Sequence, residues 1–546
     1  MIRKALLLFL AACLCSLSAG SQTSPSHQDS FTIAGVLVEH GTNQPIKRAH
    51  VLLIPVENRE RQLACTTSDD GRFAFTGLAA GKYSLEAQTR NAAQALEQNE
   101  EYATAIAVGP NLDSEHVVFA LARGARITGS VVDEEGEGVR NAQVFLFHKG
   151  VFSGRSQIVM QTQVMTDSAG AFRFARLASG TYFVAVSARP WYAQNVPAQN
   201  SSSGPGSPDL EENKSRAELD VAYPLTYYAD AIDPAAASPI TLSEGDRVEV
   251  SMNLRPVPAL HLDLPGDATS QNQNMSFGVF ALGPGGVPIP TNAIQSFDSN
   301  GRQFMGLAPG RYLLSAQQFE QGSISVARTK ILELNSNSTL DFGEASQTSI
   351  SGQIQVDGSD LSQGLAVTLT HVNSGQTIAG FTAQDGSFRI SDVGIRSGRY
   401  EIRLANTTQL YIHSISVKGA AYSNGILEIS DGATVRISIV ARKGLARVNG
   451  VAMKDGKPFA GAMVLLLPRD GSHGLYIPRD QSDSDGTFTL NFAPPGRYAL
   501  LAIDDGRDLA YRDASVVAPY LAEAQSIEVP LPGDPVVQVN VQRRRR

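Results

Sequence analysis

Cysteine is scarce in this chain of 546 residues. Of its three cysteines, Cys13 and Cys15 lie in the first twenty residues, so that Cys65 is alone in the rest of the chain. If residues 1–20 are removed, Cys65 has no second cysteine to pair with, so an intramolecular disulfide is excluded. Stability must then come from buried apolar surface.

Charge is also sparse, and its balance is acidic. Charged residues make up 18% of the chain and the net charge is −8, whereas a surface that binds nucleic acid would be basic. Hydrophobic residues reach 42%, which favours a globular chain over a disordered one. The 49 glycines and 27 prolines are typical of turn-rich β proteins, and the length calls for several domains.

Motifs for catalysis are missing. A zinc carboxypeptidase needs a His-x-x-Glu pair, and none of the nine histidines has a glutamate three positions later. The chain after residue 20 also contains no His-Glu-x-x-His, Gly-x-Ser-x-Gly, phosphate loop or Cys-x-x-Cys. We therefore predict that the protein is not an enzyme and has no catalytic residues, no metal site and no cofactor.

The N-terminus reads as a targeting segment. Two basic residues, Arg3 and Lys4, precede about thirteen apolar residues, and small residues follow near Gly20. This pattern predicts a signal peptide over 1–20, with a polar flexible leader over 21–30. Alternatively, the residues before Cys13 resemble a bacterial lipobox, which would make Cys13 the lipidated N-terminus. The protein is expected to be secreted, periplasmic or in the cell envelope, and no later segment is long and apolar enough to cross a membrane.

One stretch recurs along the chain. In 70–83 an Asp-Gly pair precedes alternating Phe73 and Phe75, and a Gly-x-Tyr element follows at Tyr83. The alternation places both phenylalanines on one face of a strand. The opening glycine lies 48 residues before the tyrosine in three copies and 53 before it in another. Regular spacing of this kind indicates an internal repeat, and the tyrosine of the Gly-x-Tyr element returns at Tyr182, Tyr312, Tyr400 and Tyr498.

Five copies account for nearly the whole chain. The third copy is degenerate, because it lacks the opening glycine and keeps only one of the two phenylalanines, Phe304. Short strands with frequent turn signals predict all-β sandwiches. Junctions are short, so we expect the copies to lie end to end in a rod on the order of 150 Å long. The predicted domains are 31–123, 124–256 with a long insertion at about 190–240, 257–346, 347–443, and 444–546 with a basic tail.

The order of these elements resembles the carboxypeptidase regulatory-like domain. The resemblance rests on Ile-x-Gly-x-Val, a polar turn, Asp-x-x-Gly-x-Phe-x-Phe and Gly-x-Tyr, and it is clearest in the first, second and fifth copies. It implies a tandem array of five transthyretin-like (prealbumin-like) β-sandwich domains, related also to Cna-B-like and carbohydrate-binding-like modules. Such arrays are typical of secreted or envelope proteins of bacteria. The family implies a module that binds or spaces, with no chemistry of its own.

Asp480, Asp483 and Asp485 invite comparison with a calcium loop. A twelve-residue loop aligned on Gly486 would need an acidic last residue, and Phe492 stands there. The favoured interpretation is a hairpin turn in which an aspartate accepts backbone N–H bonds.

Aromatic residues that flank the insertion are the candidate ligand site. Exposed rings stack on sugar faces and supply contact area at low entropic cost. The alternative is that these rings cover the edge of the second sandwich and pin the insertion. The candidate residues are Trp191, Tyr192, Tyr223, Tyr227 and Tyr228.

The sequence therefore favours a non-enzymatic, monomeric rod with a structural or adhesive role, and the family resemblance implies carbohydrate binding. Its expected partner is a polysaccharide or an envelope protein, and not a nucleic acid. The alternative is a periplasmic or outer-membrane accessory protein that binds a protein partner by β-strand addition to an open sheet edge.

Overall fold

Five two-layer β units follow one another along the chain, each built on the repeated stretch. The computed structural model describes residues 30–89, 92, 104–194, 218–265, 275–298, 301–320, 323–340, 348–357, 364–390, 397–430, 432–469, 476–531 and 533–545. The predicted signal peptide, Cys13, nearly all of the leader and the low-complexity run at 200–208 lie outside these residues. Among the described residues, no helix is long and apolar enough to cross a membrane.

The first two sandwiches carry the strands that follow. The first has β1 (Phe31–Glu39), β2 (His50–Pro55), β3 (Leu63–Thr66), β4 (Arg72–Leu78), β5 (Gly81–Gln88), β6 (Ile106–Val108) and β7 (Val117–Leu121). The second has β8 (Ala125–Val132), β9 (Gln143–Phe152), β10 (Arg155–Met165), β11 (Ala171–Leu177), β12 (Gly180–Ser187), β13 (Val221–Ala222), β14 (Thr226–Tyr227), the 3-10 turn η1 (Pro234–Ala236), β15 (Ile240–Leu242) and β16 (Arg247–Asn253).

The third and fourth sandwiches continue the series. The third has β17 (Val257–Pro258), β18 (Leu260–Pro265), β19 (Met275–Leu282), the 3-10 turn η2 (Pro284–Gly286), β20 (Pro288–Pro290), β21 (Ile294–Asp298), β22 (Gly301–Leu307), β23 (Gly310–Glu320), β24 (Ser323–Leu334) and β25 (Ser338–Thr339). The fourth has β26 (Ser349–Val356), β27 (Ala366–His371), β28 (Thr377–Phe381), β29 (Ser387–Ile390), β30 (Gly398–Ala405), β31 (Leu410–Lys418), β32 (Ala421–Ser423), β33 (Ile426–Ile429) and β34 (Thr434–Lys443).

The fifth sandwich adds a short helix. Its elements are β35 (Ala446–Lys454), β36 (Lys457–Pro458), β37 (Met463–Pro468), β38 (Arg479–Gln481), β39 (Thr487–Ala493), β40 (Gly496–Ile503), α1 (Ala514–Leu521), β41 (Gln525–Val529) and β42 (Val536–Gln542). Asp513 caps α1 by accepting the Ser515 N–H at 2.9 Å.

All five units share one topology. The opening strand pairs antiparallel with the phenylalanine strand and parallel with the last strand, as β1 does with β4 and β7. The second strand pairs with the Gly-x-Tyr strand in the other layer, as β2 does with β5. The same pairs recur through β35 with β39 and β42 in the fifth unit. The predicted tandem array of β-sandwiches is therefore confirmed, while its exact domain limits remain predictions.

Each unit has its own hydrophobic core between the layers. In the second, Ile127, Phe172, Phe174 and Tyr182 pack together out of contact with solvent. The alternation of the strands explains this, because residues of one face point inward together. The fifth sandwich departs from this alternation, because β37 is buried on both faces along its whole length. Val517 and Tyr520 of α1 cover the outer face of the sheet that contains β37.

The tyrosine of the Gly-x-Tyr element forms a corner in the copies where its hydroxyl contact is described. The hydroxyl donates to the carbonyl four residues earlier, at 3.0 Å for Tyr83, 2.8 Å for Tyr182, 2.6 Å for Tyr312 and 2.7 Å for Tyr498. The ring itself is buried in the core. This bond ties the end of the phenylalanine strand to the start of the next strand.

Contacts also join sandwiches that are far apart in the chain. Asp483 of the fifth accepts the Ala105 N–H of the first at 3.0 Å and pairs with Lys82. The Ser484 N–H donates to the Ala105 carbonyl at 2.9 Å. The Arg512 N–H donates to the Gly154 carbonyl of the second sandwich, also at 2.9 Å. The array is therefore folded back, and the straight end-to-end order expected from the short junctions is corrected by these contacts.

A charged cluster supports this arrangement. Glu401 of the fourth sandwich accepts bonds from Arg155 of the second at 3.0 Å and from Arg512 of the fifth at 3.2 Å. Arg403, on the same strand as Glu401, adds a third bond at 2.9 Å. Burial opposes ionisation of Glu401, but the three guanidinium groups outweigh it and hold its pKa below the usual value. Three sandwiches thus meet at one ionised carboxylate.

Candidate functional site

The structure divides the five aromatic candidates into two groups. Trp191, Tyr192 and Tyr223 lie together near Glu134, whereas Tyr227 and Tyr228 pack against the second sandwich. Trp191 is 83% exposed, and Tyr192 stands edge-on to it with ring centroids 5.7 Å apart. Tyr227, by contrast, is 1% exposed and cannot present a ring face to solvent. Tyr228 is half-buried and packs against the core of the second sandwich. The candidates therefore do not form one continuous binding surface.

Glu134 connects the two tyrosines of the first group, Tyr192 and Tyr223. It lies in the turn between β8 and β9, and its carboxylate accepts the hydroxyls of Tyr192 and, at 2.8 Å, Tyr223. Burial and this hydrogen bond raise the pKa of Tyr192 to about 12. The pKa of Tyr223 is raised by the same two causes. Both hydroxyls therefore stay protonated and hold the chain around Trp191 against the end of the sandwich.

Tyr227 serves a different contact. It packs with Phe145, Phe147 and Ala185 on the outer face of the second sandwich's sheet, and Ile289 of the third sandwich lies in the same cluster. Burial raises the pKa of its hydroxyl. Its position lets the second and third sandwiches share apolar surface.

A crevice lies between the second and third sandwiches. Its walls include Tyr223, Asn292 and Tyr312, and the Asn292 amide donates to the Ser187 hydroxyl at 2.8 Å. Its volume of about 30 Å³ holds little more than one water molecule. Ligand pockets are on the order of ten times larger, so this crevice is part of an interface between domains.

The three aspartates that invited a calcium interpretation have separate roles. Asp485 accepts the Thr487 N–H at 3.0 Å, as a turn requires. Asp480 accepts the Thr489 N–H at 2.6 Å, and burial raises its pKa to about 6. Asp483 binds the first sandwich, as described above. Among the described residues, no group of three or more His, Cys, Asp or Glu side chains is placed to hold a metal ion.

Sequence reasoning missed three features that the fold brings together. Glu134, the carboxylate between the tyrosines, lies in a turn with four acidic residues that looked like ordinary solvated charge. Glu401 and its arginines are spread over three domains, so no local pattern identifies them. The third feature is a row of cations on the fourth sandwich, to which Ser-Phe-Arg-Ile and Thr-Val-Arg-Ile-Ser each contribute one arginine between apolar residues.

Comparison with known proteins gives a family match within the second sandwich. Residues 126–205 match the model of the carboxypeptidase regulatory-like domain. A comparison with curated proteins finds no match.

Solved structures with similar features include several pilins. A streptococcal ancillary pilin is 12% identical, with 52% of this chain and 98% of that chain covered and a TM-score of 0.19. GBS52, the minor pilin of Streptococcus agalactiae, is 14% identical, with 42% and 96% covered and a TM-score of 0.22. BcpA, the major pilin subunit of Bacillus cereus, is 11% identical, with 78% and 100% covered and a TM-score of 0.14.

These TM-scores are too low to support a conclusion about this chain. The family match has independent support in the second sandwich, where β8, β11 and β12 carry the opening glycine, the paired phenylalanines and the corner tyrosine. Residues 126–205, within the second sandwich, are therefore similar to the carboxypeptidase regulatory-like domain.

Proposed function

We propose that this chain is a non-enzymatic array of β-sandwiches with a structural or adhesive role outside the cytoplasm. The proposal rests on one observation: the same topology is repeated around five separate hydrophobic cores. The strands of every unit therefore serve to pack its core. The absence of catalytic motifs from the sequence and the family match at 126–205 agree with it.

Carbohydrate binding is the proposed activity of its exposed aromatic site. Trp191 offers a solvent-facing ring, and Tyr192 stands beside it. The hydroxyls that anchor this segment to Glu134 limit its freedom, which lowers the entropic cost of binding a sugar face.

The test compares the wild-type chain and Trp191→Ala on a polysaccharide and glycan array. We expect the substitution to weaken binding about fivefold, since a stacked aromatic contributes roughly 1 kcal/mol. Val118→Ala is the control, because Val118 is an exposed apolar residue on the first sandwich. Absence of binding by the wild type would contradict the carbohydrate activity and leave the structural role.

Strand addition is the second candidate. The nine-residue strand β31 lies at one edge of the order β29-β26-β34-β31, so one side of its backbone is open to another strand. An envelope protein bound in this way would protect the amides of 410–418 from hydrogen exchange. Unchanged exchange in a complex would exclude this edge.

A further inference from the structure

One face of the fourth sandwich carries a row of cations. On the outer face of the sheet β29-β26-β34-β31, Ser351 is the cross-strand partner of both Arg389 and Arg436. Arg436 is in turn the partner of Lys418. All three cations are exposed. Because neighbouring strands lie about 4.8 Å apart, the cations form a line across the sheet.

This line has no counter-charge on its own strands. The four strands contain no aspartate or glutamate, and none of the ion pairs found among the described residues involves Arg389, Arg436 or Lys418. Like charges directly opposite each other destabilise a sheet. The placement of Arg436 beside Lys418 therefore costs the fold stability.

A shallow groove runs over the same face. Its walls combine the two arginines with hydroxyl and amide groups, including Ser351, Gln353 and Ser438. Phe381, which is 61% exposed, stands at its side. The surface thus offers cations, hydrogen-bonding groups and one aromatic face together.

The row of three cations does not recur at the equivalent positions of the second and fifth sandwiches. In the second sandwich the equivalent row reads Arg173, Thr128 and Glu249. In the fifth it reads Thr489, Asn449 and Val536. Since the topology is the same in each unit, folding alone does not require cations at these positions.

We propose that this face of the fourth sandwich binds a linear acidic polysaccharide, with sugar carboxylates on Arg389, Arg436 and Lys418. Guanidinium groups bind carboxylates in a bidentate manner. The serines and Gln353 would pair with sugar hydroxyls, and Phe381 would contact a ring face. This combination favours a sugar acid over an acidic peptide, which has no hydroxyls of that kind to pair with the serines.

The test uses immobilised polygalacturonate and the full chain from residue 21. We expect Arg389→Ser/Arg436→Ser to weaken binding about tenfold, the loss of two exposed charge-assisted contacts. The matched control is Arg126→Ser/Arg247→Ser. These arginines are cross-strand partners on the corresponding sheet of the second sandwich, where Glu249 shares the face. The control removes the same charge and should bind as the wild type does.

Three results would overturn the proposal: no binding of polygalacturonate by the wild type, equal loss in both double variants, or equally tight binding of polyglutamate. Binding should also weaken as salt is raised, and dextran, which is neutral, should not bind. The site is independent of Trp191. Trp191→Ala should therefore leave polygalacturonate binding unchanged, so that failure of one carbohydrate site does not imply failure of the other.

Discussion

At the level of single residues, the opening glycine of the second, fourth and fifth repeats lies under a phenylalanine ring and beside a carbonyl of the parallel strand. A Cβ on Gly352 would lie 2.3 Å from both the Phe388 ring and the Ile437 carbonyl oxygen. On Gly450 it would lie 2.4 Å from the ring of Phe488. These glycines are needed for close approach rather than for an unusual backbone angle.

The degenerate third copy supports the explanation that the glycine makes room for the phenylalanine ring. There the position of the opening glycine is taken by Leu264, and its cross-strand partner is Arg302 instead of phenylalanine. Leu264 is fully buried, and the Arg302 guanidinium lies 4.4 Å from the centre of the Phe277 ring. Without the phenylalanine ring, a side chain at this position has room.

We predict that Gly352→Ala destabilises the fourth sandwich by about 1–3 kcal/mol, the usual cost of overpacking a core. Hydrogen exchange of the 349–356 amides in the full chain measures this without assuming two-state unfolding. Ser351→Ala, at the neighbouring outward position, is the control and should change exchange little. Equal protection in Gly352→Ala and the wild type would contradict the prediction.

At the level of elements, the corner tyrosine holds two successive strands in the first, second, third and fifth units, where its hydroxyl contact is described. In the fifth sandwich the Tyr498 hydroxyl donates to the Pro494 carbonyl at 2.7 Å, across the link between β39 and β40. Its ring is buried in the core at the same time. The residue thus couples strand connection to core packing.

We expect Tyr498→Phe to cost about 1 kcal/mol, because the ring stays packed while the partly buried Pro494 carbonyl loses its donor. The measurement is hydrogen exchange over 487–503. Tyr476→Phe serves as the control, since that hydroxyl reaches the Asn491 carbonyl only at 3.4 Å and is exposed. A larger effect of the control than of Tyr498→Phe would refute the corner's role.

At the level of the whole molecule, a few polar contacts hold distant sandwiches together. The side chains of Glu401 and Arg512 are 5% and 4% exposed, and they belong to different domains. Burial and the neighbouring Arg403 lower the pKa of Arg512. Its charge therefore depends on the carboxylate for compensation.

We predict that Glu401→Gln opens the junction of the second, fourth and fifth sandwiches. Removing one partner of a buried ion pair costs roughly 3–5 kcal/mol, which exceeds what a few polar interdomain contacts supply. Small-angle X-ray scattering should then show a larger radius of gyration. Glu428→Gln is the control, because its pair with Arg399 is exposed and 3.9 Å long. An unchanged radius would show that other contacts hold the array.

The candidate site illustrates what could be predicted and what could not. Proximity in sequence correctly placed Tyr192 beside Trp191, and the aromatic types suggested a ligand surface. Burial, however, differs completely between Trp191 and Tyr227. Tyr227 is covered by Phe145 and Phe147 of its own sandwich and by Ile289 of the next one. No pattern near Tyr227 in the sequence indicates these contacts.

The sequence by itself determined the repeated sandwich, since alternation, Asp-Gly turns and Gly-x-Tyr corners act between residues close in the chain. Only the tertiary structure decided how the sandwiches lie against one another. The contacts of Asp483 with Ala105 and of Glu401 with Arg155 join residues hundreds of positions apart. Such pairs leave no local signature, because each side chain alone looks like ordinary surface charge.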